Sequence, residues 1–374
     1  MSRGALAVPR GGGDETMMNA EVEEMEDTAV CEVDVRSVTV RFSDGVEHAF
    51  PVRPDQTILA AAKEHDVRLV HQCLTGSCGT CVTRVASGKV RMSTARGTSL
   101  LPSEAAEGFR LTCTSFCDSD AVLQFDYPSS VLDEPGPARC TAEVADAAWV
   151  ASNVVRLTLR LPKDAGLEFR SGQYVRVQVP GTEEWRSYSM ASTVADLPEL
   201  VLLLRVLDAG VMSDYLRSRA RAGDLIELEG PFGMFYLREA KGQHIMIAGG
   251  TGLAPMLGML EDIRMRAGRK PKVLLSFGCA SEDNLFYVDE LDVRAAWLPG
   301  LKVKVAVANP GEAYRGLVGN PVEVISAADI SDPATAVAYL CGPPPMIESA
   351  RAHLERLGVL PENIHAEHFS ASAA

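Results

Sequence analysis

From Val35 onward the chain alternates apolar and polar positions. Val35, Ser37, Thr39 and Arg41 interleave with Arg36, Val38, Val40 and Phe42, a period of two that predicts a strand. Asp44-Gly45 is a hairpin turn signal, so a second strand is expected to return as far as Pro51. Asp55 is placed to cap a short helix through Ile58, Leu59, Ala62 and Lys63. Further strands are expected at 81–86 and 121–126. A hairpin, a helix and an intervening loop make a small mixed sheet of the β-grasp kind. Pro128 to Pro137 then breaks every period, and Leu132-Asp133-Glu134-Pro135-Gly136-Pro137 reads as a linker.

Beyond the linker the alternation resumes. Val155, Leu157, Leu159 and Leu161 form one set and Val175, Val177 and Val179 another, with two more strands at 200–206 and 225–228. Short strands separated by Gly and Pro turns, with hardly any helix, predict a small antiparallel barrel. Near His244 the period changes again. Apolar strands at 244–248, 273–277, 303–307 and 336–340 alternate with helical stretches, the βαβ rhythm of a doubly wound parallel sheet. The reading is a multidomain chain of α+β and α/β class. It has a disordered tail at 1–34, a β-grasp domain at 35–130, a linker at 131–138, a barrel domain at 139–240 and a doubly wound domain at 241–374.

Composition changes little in this picture. In 374 residues, 47% hydrophobic and 23% charged are the proportions of a soluble globular protein. No apolar run approaches the ~20 residues of a membrane span, and Ala5-Leu6-Ala7-Val8 is too short for a signal-peptide core. A net charge of −14 with no basic patch excludes a nucleic-acid partner. Met17 or Met18 is an alternative start to Met1.

Nine cysteines, at 31, 73, 78, 81, 113, 117, 140, 279 and 341, are an odd count with three clustered and the rest scattered, which does not look like a disulfide framework and implies the cytoplasm. Cys73, Cys78 and Cys81 stand as C-x4-C-x2-C, and Cys113 follows about thirty residues later. That is the plant-type pattern for a [2Fe–2S] cluster. A structural zinc site would bring two short Cys-Cys knuckles, and here there is one. Cys117 is the alternative fourth ligand. Gly76 and Gly79 let the backbone run close to the cluster in conformations that other residues resist. Cys31, Cys117, Cys140 and Cys279 read as small apolar residues.

Three further turns carry candidate chemistry. Gly210 opens a turn before a short helix at Ser213-Asp214-Tyr215-Leu216, where a capping hydroxyl would mark a phosphate site. Gly249-Gly250-Thr251-Gly252 joins a buried strand to a helix without the usual G-x-G-x-x-G fingerprint. Cys341-Gly342-Pro343-Pro344-Pro345-Met346 ends another parallel strand, so both turns should line one crevice at the carboxyl edge of the sheet.

With Gly172-Gln173-Tyr174, Arg186-Ser187-Tyr188-Ser189, Gly230-Pro231-Phe232-Gly233 and Glu367-His368-Phe369 in order, residues 35–374 resemble the ferredoxin–NADP reductase superfamily. More narrowly the chain resembles the reductase components of benzoate- or anthranilate-type aromatic ring-hydroxylating dioxygenases. The resemblance implies a ferredoxin domain, an FAD-binding barrel and an NAD-binding domain. It implies that Arg186 pairs with a flavin phosphate, Tyr188 stacks on the flavin ring, and Ser189 hydrogen-bonds near flavin N5. Gly210, Met212 and Ser213 would hold the pyrophosphate, while Gly249 to Gly252, Gly342, Pro343 and Met346 line the nicotinamide nucleotide. Thr251, Cys341 and Glu367 would surround the nicotinamide–flavin contact, with Ser189, Cys341 and Glu367 as the catalytic set. Phe369 would lie against the flavin, although five residues follow it where plant relatives end in tyrosine.

NADH is expected over NADPH. Ala308-Asn309-Pro310 stands where NADPH enzymes of the superfamily carry Ser-Arg, and Glu282 and Asp283 would repel a 2′-phosphate; Arg315 is the one cation nearby. A hydride donor and a one-electron cluster need FAD between them. The acceptor expected is a Rieske-type oxygenase, which makes the transfer downhill by at least about 250 mV, or about 6 kcal/mol per electron. A di-iron monooxygenase partner and a non-catalytic iron–sulfur carrier are the rival readings. The protein is expected to be a monomer.

Overall fold

The computed structural model describes residues 34–95 and 97–368. The expectations for residues 1–33, including Met17, Met18 and Cys31, and for Phe369 lie outside the described residues.

The first sheet has five strands, in the order Glu47–Val52, Arg36–Arg41, Ala121–Gln124, Val82–Ser87 and Phe109–Leu111. The Arg36–Arg41 strand runs parallel to Ala121–Gln124 and antiparallel to its hairpin mate, so the sheet is mixed. The alternation puts Val38 and Val40 inside at 0% exposure. Phe42 follows them inward, with Phe125 and Tyr127, their ring centroids 5.1–5.7 Å apart. The helix Ile58–Glu64 covers this core with Ile58, Leu59, Ala61 and Ala62. Its cap is Thr57, whose Oγ1 accepts from the Ala60 amide at 3.3 Å. Asp55, expected to cap, sits two residues earlier in a turn.

The second sheet has six antiparallel strands in the order Trp185–Ser189, Tyr174–Gln178, Leu225–Phe232, Ala138–Ala151, Val154–Arg160 and Glu199–Arg205. A bridge between Met190 and Leu202 joins the two ends and closes the barrel. The apolar alternants Val155, Leu157, Leu159, Val175 and Val177 fill it. Its longest strand, Ala138–Ala151, was not anticipated as a strand: Cys140, Ala142 and Val144 alternate with Thr141 and Glu143, but the period breaks after Val144. Register shifts beside Val144 and Trp149 explain why, since each bulge resets the period of two.

The third sheet is wholly parallel, in the order Leu317–Val318, Leu301–Val307, Val273–Cys279, His244–Gly249, Val337–Gly342 and Ile364–His368. Chain order reverses between His244–Gly249 and Val337–Gly342. The crevice at a topological switch point therefore opens where Gly249 and Cys341 end their strands.

Candidate functional site

The switch point brings the two expected turns together. The strand His244–Gly249 runs into a 3-10 turn at Gly250–Gly252 and then into the helix Leu253–Met265. A Cβ on Gly252 would lie 2.1 Å from the Cys341 carbonyl oxygen, so only glycine lets the two turns meet. Pro343 caps the helix Pro344–Arg356, and Met346 reaches back to within 2.7 Å of where a Gly249 Cβ would stand. Thr251 is half-buried at the mouth.

Ser189, Cys341 and Glu367 converge here from different elements. Glu367 pairs with Cys341 in the parallel ladder, and Ser189 Oγ of the barrel donates to Glu367 Oε2 at 2.9 Å. Burial pushes the Glu367 carboxyl up to about 7, with the Ser189 hydroxyl pulling the other way. Cys341 is fully buried, and burial and the nearby carboxyl push its thiol well above the usual range. It is therefore a neutral thiol rather than a nucleophile.

In the barrel, Arg186 is half-buried and bonds to the Glu184 side chain and the Trp185 carbonyl. Tyr188 packs on the barrel core, and burial raises its phenol. The helix beside them runs Val211–Ser218 with Gly210 as its cap, two residues earlier than the sequence suggested. Ser213 is not the cap: its Oγ accepts from the Leu207 amide at 3.0 Å and braces the preceding loop. Gly210 has no side chain to cap this helix, so its first amides are left for a ligand, which suits a pyrophosphate.

The cysteine loop forms two pairs of sulfurs, Cys73 with Cys78 and Cys81 with Cys113. The Cys78 thiol donates to Cys73 and holds that sulfur down at about 3. Cys81 likewise donates to Cys113 and lowers it. Four cysteines in two neighbouring pairs fit the all-thiolate donor set that a [2Fe–2S] cluster takes. Gly76 and Gly79 have φ of +84° and +72°. The Thr75 amide points at Cys73 Sγ, 3.4 Å away. Cys117 lies in the short ladder opposite Val90, in the same domain core as Cys81 and Cys113. Cys279 is buried and donates to the Asn284 carbonyl, and Cys140 is half-buried in the barrel wall.

At the far end of the crevice, Glu282 Oε1 accepts from the Gly311 amide at 2.7 Å and bridges two loops at the sheet's carboxyl edge. Arg315 is turned back onto the Glu312 and Tyr314 carbonyls of its own loop.

Sequence reasoning missed what joins these sites. Tyr174 gained no role from its place in Gly172-Gln173-Tyr174, yet its hydroxyl bonds to Gln72, the residue before Cys73. Arg238, Asp126 and His365 tie all three sheets together, with Arg238 Nη2 2.7 Å and His365 Nδ1 3.4 Å from Asp126 Oδ2. No local signal marks partners more than a hundred residues apart.

Three domain families match along the chain: a 2Fe-2S iron-sulfur cluster binding domain at 41–118, an oxidoreductase FAD-binding domain at 141–236 and an oxidoreductase NAD-binding domain at 246–352. The toluate 1,2-dioxygenase electron transfer component of Pseudomonas putida is 34% identical over 341 residues, covering 90% of this chain and 99% of that protein. Methane monooxygenase component C of Methylosinus trichosporium is 34% identical over 278 residues, covering 73% of this chain and 80% of that protein. Among solved structures, the Amycolatopsis cytochrome P450 reductase GcoB superposes with a TM-score of 0.65 at 29% identity, over 90% of this chain and 100% of that one. The chain belongs to the family of reductase, or electron-transfer, components of aromatic ring-hydroxylating dioxygenases, oxidoreductases that use a [2Fe–2S] cluster, FAD and NADH.

Proposed function

We propose that this chain accepts hydride from NADH in the Gly249–Cys341 crevice and delivers single electrons through the cysteine loop to a Rieske-type terminal oxygenase. The bond between Ser189 of the barrel and Glu367 of the parallel sheet carries the reading, because it sets the two nucleotide-binding halves edge to edge at one point. Bound FAD supplies the conversion of a two-electron hydride into single electrons.

The chain's own residues do the rest. Cys73, Cys78, Cys81 and Cys113 hold the two irons. Arg186 exchanges Glu184 for a flavin phosphate, as its fork of donors permits. Gly210, Met212 and Ser213 present the uncapped helix amides to the pyrophosphate. Tyr188 gives the flavin ring an apolar face. Ser189 and Glu367 hold or release the single proton that accompanies hydride, and a carboxyl near 7 is matched to that task. Cys341, neutral and buried, with Thr251 and Gly250, shapes the nicotinamide slot and keeps water out. Gly249, Gly252, Gly342, Pro343 and Met346 pack the slot's floor. Glu282 at the adenosine end accepts from a ribose 2′-hydroxyl and repels a 2′-phosphate, which favours NADH.

The eight cysteines among the described residues are all free, as the reducing cytoplasm requires. No described helix is long and apolar enough to cross a membrane. We assign the protein to the cytoplasm as a monomer, which fractionation and sedimentation would check. The resemblance to toluate dioxygenase reductase favours a Rieske partner, and the methane monooxygenase relative keeps a di-iron partner as the second reading.

Anaerobic titration of the purified protein with NADH, followed by visible absorbance and EPR, is the test. Flavin bleaching with a reduced-cluster signal is expected. A cluster reduced by dithionite but not by NADH would sink the reading. Reconstitution with a Rieske oxygenase and with a di-iron hydroxylase then separates the two partners.

A further inference from the structure

We propose that Tyr174 is a positioning residue for electron transfer: its ring walls the flavin site and its hydroxyl, held by Gln72, keeps the [2Fe–2S] loop against that wall. This rests on the reading above, in which FAD lies beside Ser189 and the cluster lies on the four cysteines.

Tyr174 begins the strand Tyr174–Gln178 and pairs directly with Ser189 on one side and Phe232 on the other. Directly opposed residues share a face, so the tyrosine ring stands beside the hydroxyl that bonds Glu367. The ring is 6% exposed and lies 5.9 Å from the Phe232 ring, tilted by 37°. Gly233 explains how it fits there. A Cβ on Gly233 would come within 2.9 Å of two carbons of the Tyr174 ring and 3.5 Å of Glu367 Oε1, and its φ is +91°. Gln173 braces the same turn: its side-chain Nε2 donates to the Gly233 carbonyl at 3.0 Å and its Oε1 accepts from the Arg170 amide at 2.8 Å. One edge of the ring therefore borders the Glu367 carboxyl.

The hydroxyl end faces the other way. It donates to Gln72 Oε1. Gln72 adjoins Cys73, the first sulfur of the cluster loop. Burial chiefly pushes the phenol upward, so the hydroxyl stays protonated and available as a donor. An electron passes between two protein-held centres only while they are close, and the bond that spans them sets how often they are.

A net hydrogen bond of about 1 kcal/mol shifts a docked population about five-fold. Tyr174→Phe and Gln72→Leu are each made in the full chain with both cofactors, and Gln72→Leu, which lies outside the flavin wall, should leave NADH bleaching of the flavin at its original rate. Each should slow the following cluster reduction about five-fold by stopped-flow absorbance. The double variant should be no slower than either single, because both remove one bond. Hydrogen exchange at amides 73–80 of the oxidised protein should quicken in all three. Cluster reduction and exchange both unchanged would overturn the proposal. Loss of flavin or cluster from the single variants would mark Tyr174 as a structural residue and overturn it too. A wild-type flavin that NADH does not bleach would instead overturn the underlying reading, and the proposal with it.

Discussion

The two seams of this molecule are built differently. Between barrel and parallel sheet lies one continuous apolar core. Val154, Leu203, Phe235 and Leu237 of the barrel side pack with Met246, Leu257, Leu275 and Tyr339 of the other. Between the ferredoxin sheet and the rest, directional polar ties predominate: Gln72 with Tyr174, Asp126 with Arg238 and His365, Glu107 with Arg351, and the Ser103 amide with Glu348. Among the described residues, Leu101 and Met234 are the chief apolar side chains that cross that seam. Apolar burial is non-directional and grows with area, while each hydrogen bond is worth about 1 kcal/mol net and depends on geometry. The difference matches the two tasks. Hydride transfer needs two nucleotides held in one fixed relation. The cluster has to meet the flavin and also an external acceptor, and a seam of separable ties permits both.

The largest expected effect breaks the apolar seam. Phe235 is 5% exposed and meets Tyr339 edge-on at 6.1 Å. Phe235→Ala should cost about 3–5 kcal/mol in denaturant unfolding, with barrel and parallel sheet lost in one transition. A cost below about 1 kcal/mol would show that the two halves do not share a core.

The next effect probes Glu367, an acid enclosed at that seam. Burial raises Glu367 to about 7 from an ordinary 4.5, so the folded chain keeps a proton that the unfolded chain releases. Stability from this group is full below about pH 4.5 and falls as pH rises through 7, by about 3 kcal/mol. Glu367→Gln should flatten the difference between about pH 5 and pH 8 by that amount, and should remove an inflection near pH 7 from the rate of flavin bleaching. Equal pH dependence in both proteins would mean that Glu367 is already ionised at pH 5.

How far these seams were legible in the sequence follows from the range of the interactions. Val38, Val40, Leu157 and Leu159 announced strands because burial on one face imposes a period of two. The Gly249–Gly252 and Cys341–Gly342 turns were legible because a close backbone approach leaves room for nothing larger, as Gly252 shows. The cysteine spacing pointed to a cluster because a single loop supplies three sulfurs. What failed was local rivalry or distance. Thr57 outcompeted Asp55 for the helix cap, and Ser213 spent its hydroxyl on Leu207 rather than on the helix end. The bulged Ala138–Ala151 strand keeps its period only as far as Val144, too short a run to announce a strand of that length. Glu107 with Arg351 and Gln72 with Tyr174 are pairs of ordinary residues, 244 and 102 positions apart, that no spacing joins.

Glu107 then tests the polar seam. Arg351 is 2% exposed and its Nε already has no hydrogen-bond partner. Glu107→Ala would leave that buried guanidinium with only the Ile364 carbonyl and the Glu104 charge, at about 2 kcal/mol, less than a fully enclosed pair because the Glu107 side chain is 26% exposed. The loss should concentrate in one part, so that ferredoxin-sheet amides exchange earlier than those of the parallel sheet. Uniformly faster exchange would make the polar seam as continuous as the apolar one.

The smallest effect sharpens the comparison most. Arg68 Nη2 lies 2.7 Å from Asp133 Oδ1, a geometry as good as the buried pairs, and Nη1 also reaches the Leu132 carbonyl at 2.6 Å. Yet the two side chains are 67% and 75% exposed. Water competes for both charges, salt screens them, and two long side chains lose freedom to meet, so Arg68→Ala should cost no more than about 0.5 kcal/mol. Its unfolding midpoint should match the parent at high salt. If Arg68→Ala instead costs as much as Glu107→Ala, burial is not what separates strong ties from weak ones here. The 131–138 stretch that Asp133 belongs to would then be part of the seam rather than a strap across it.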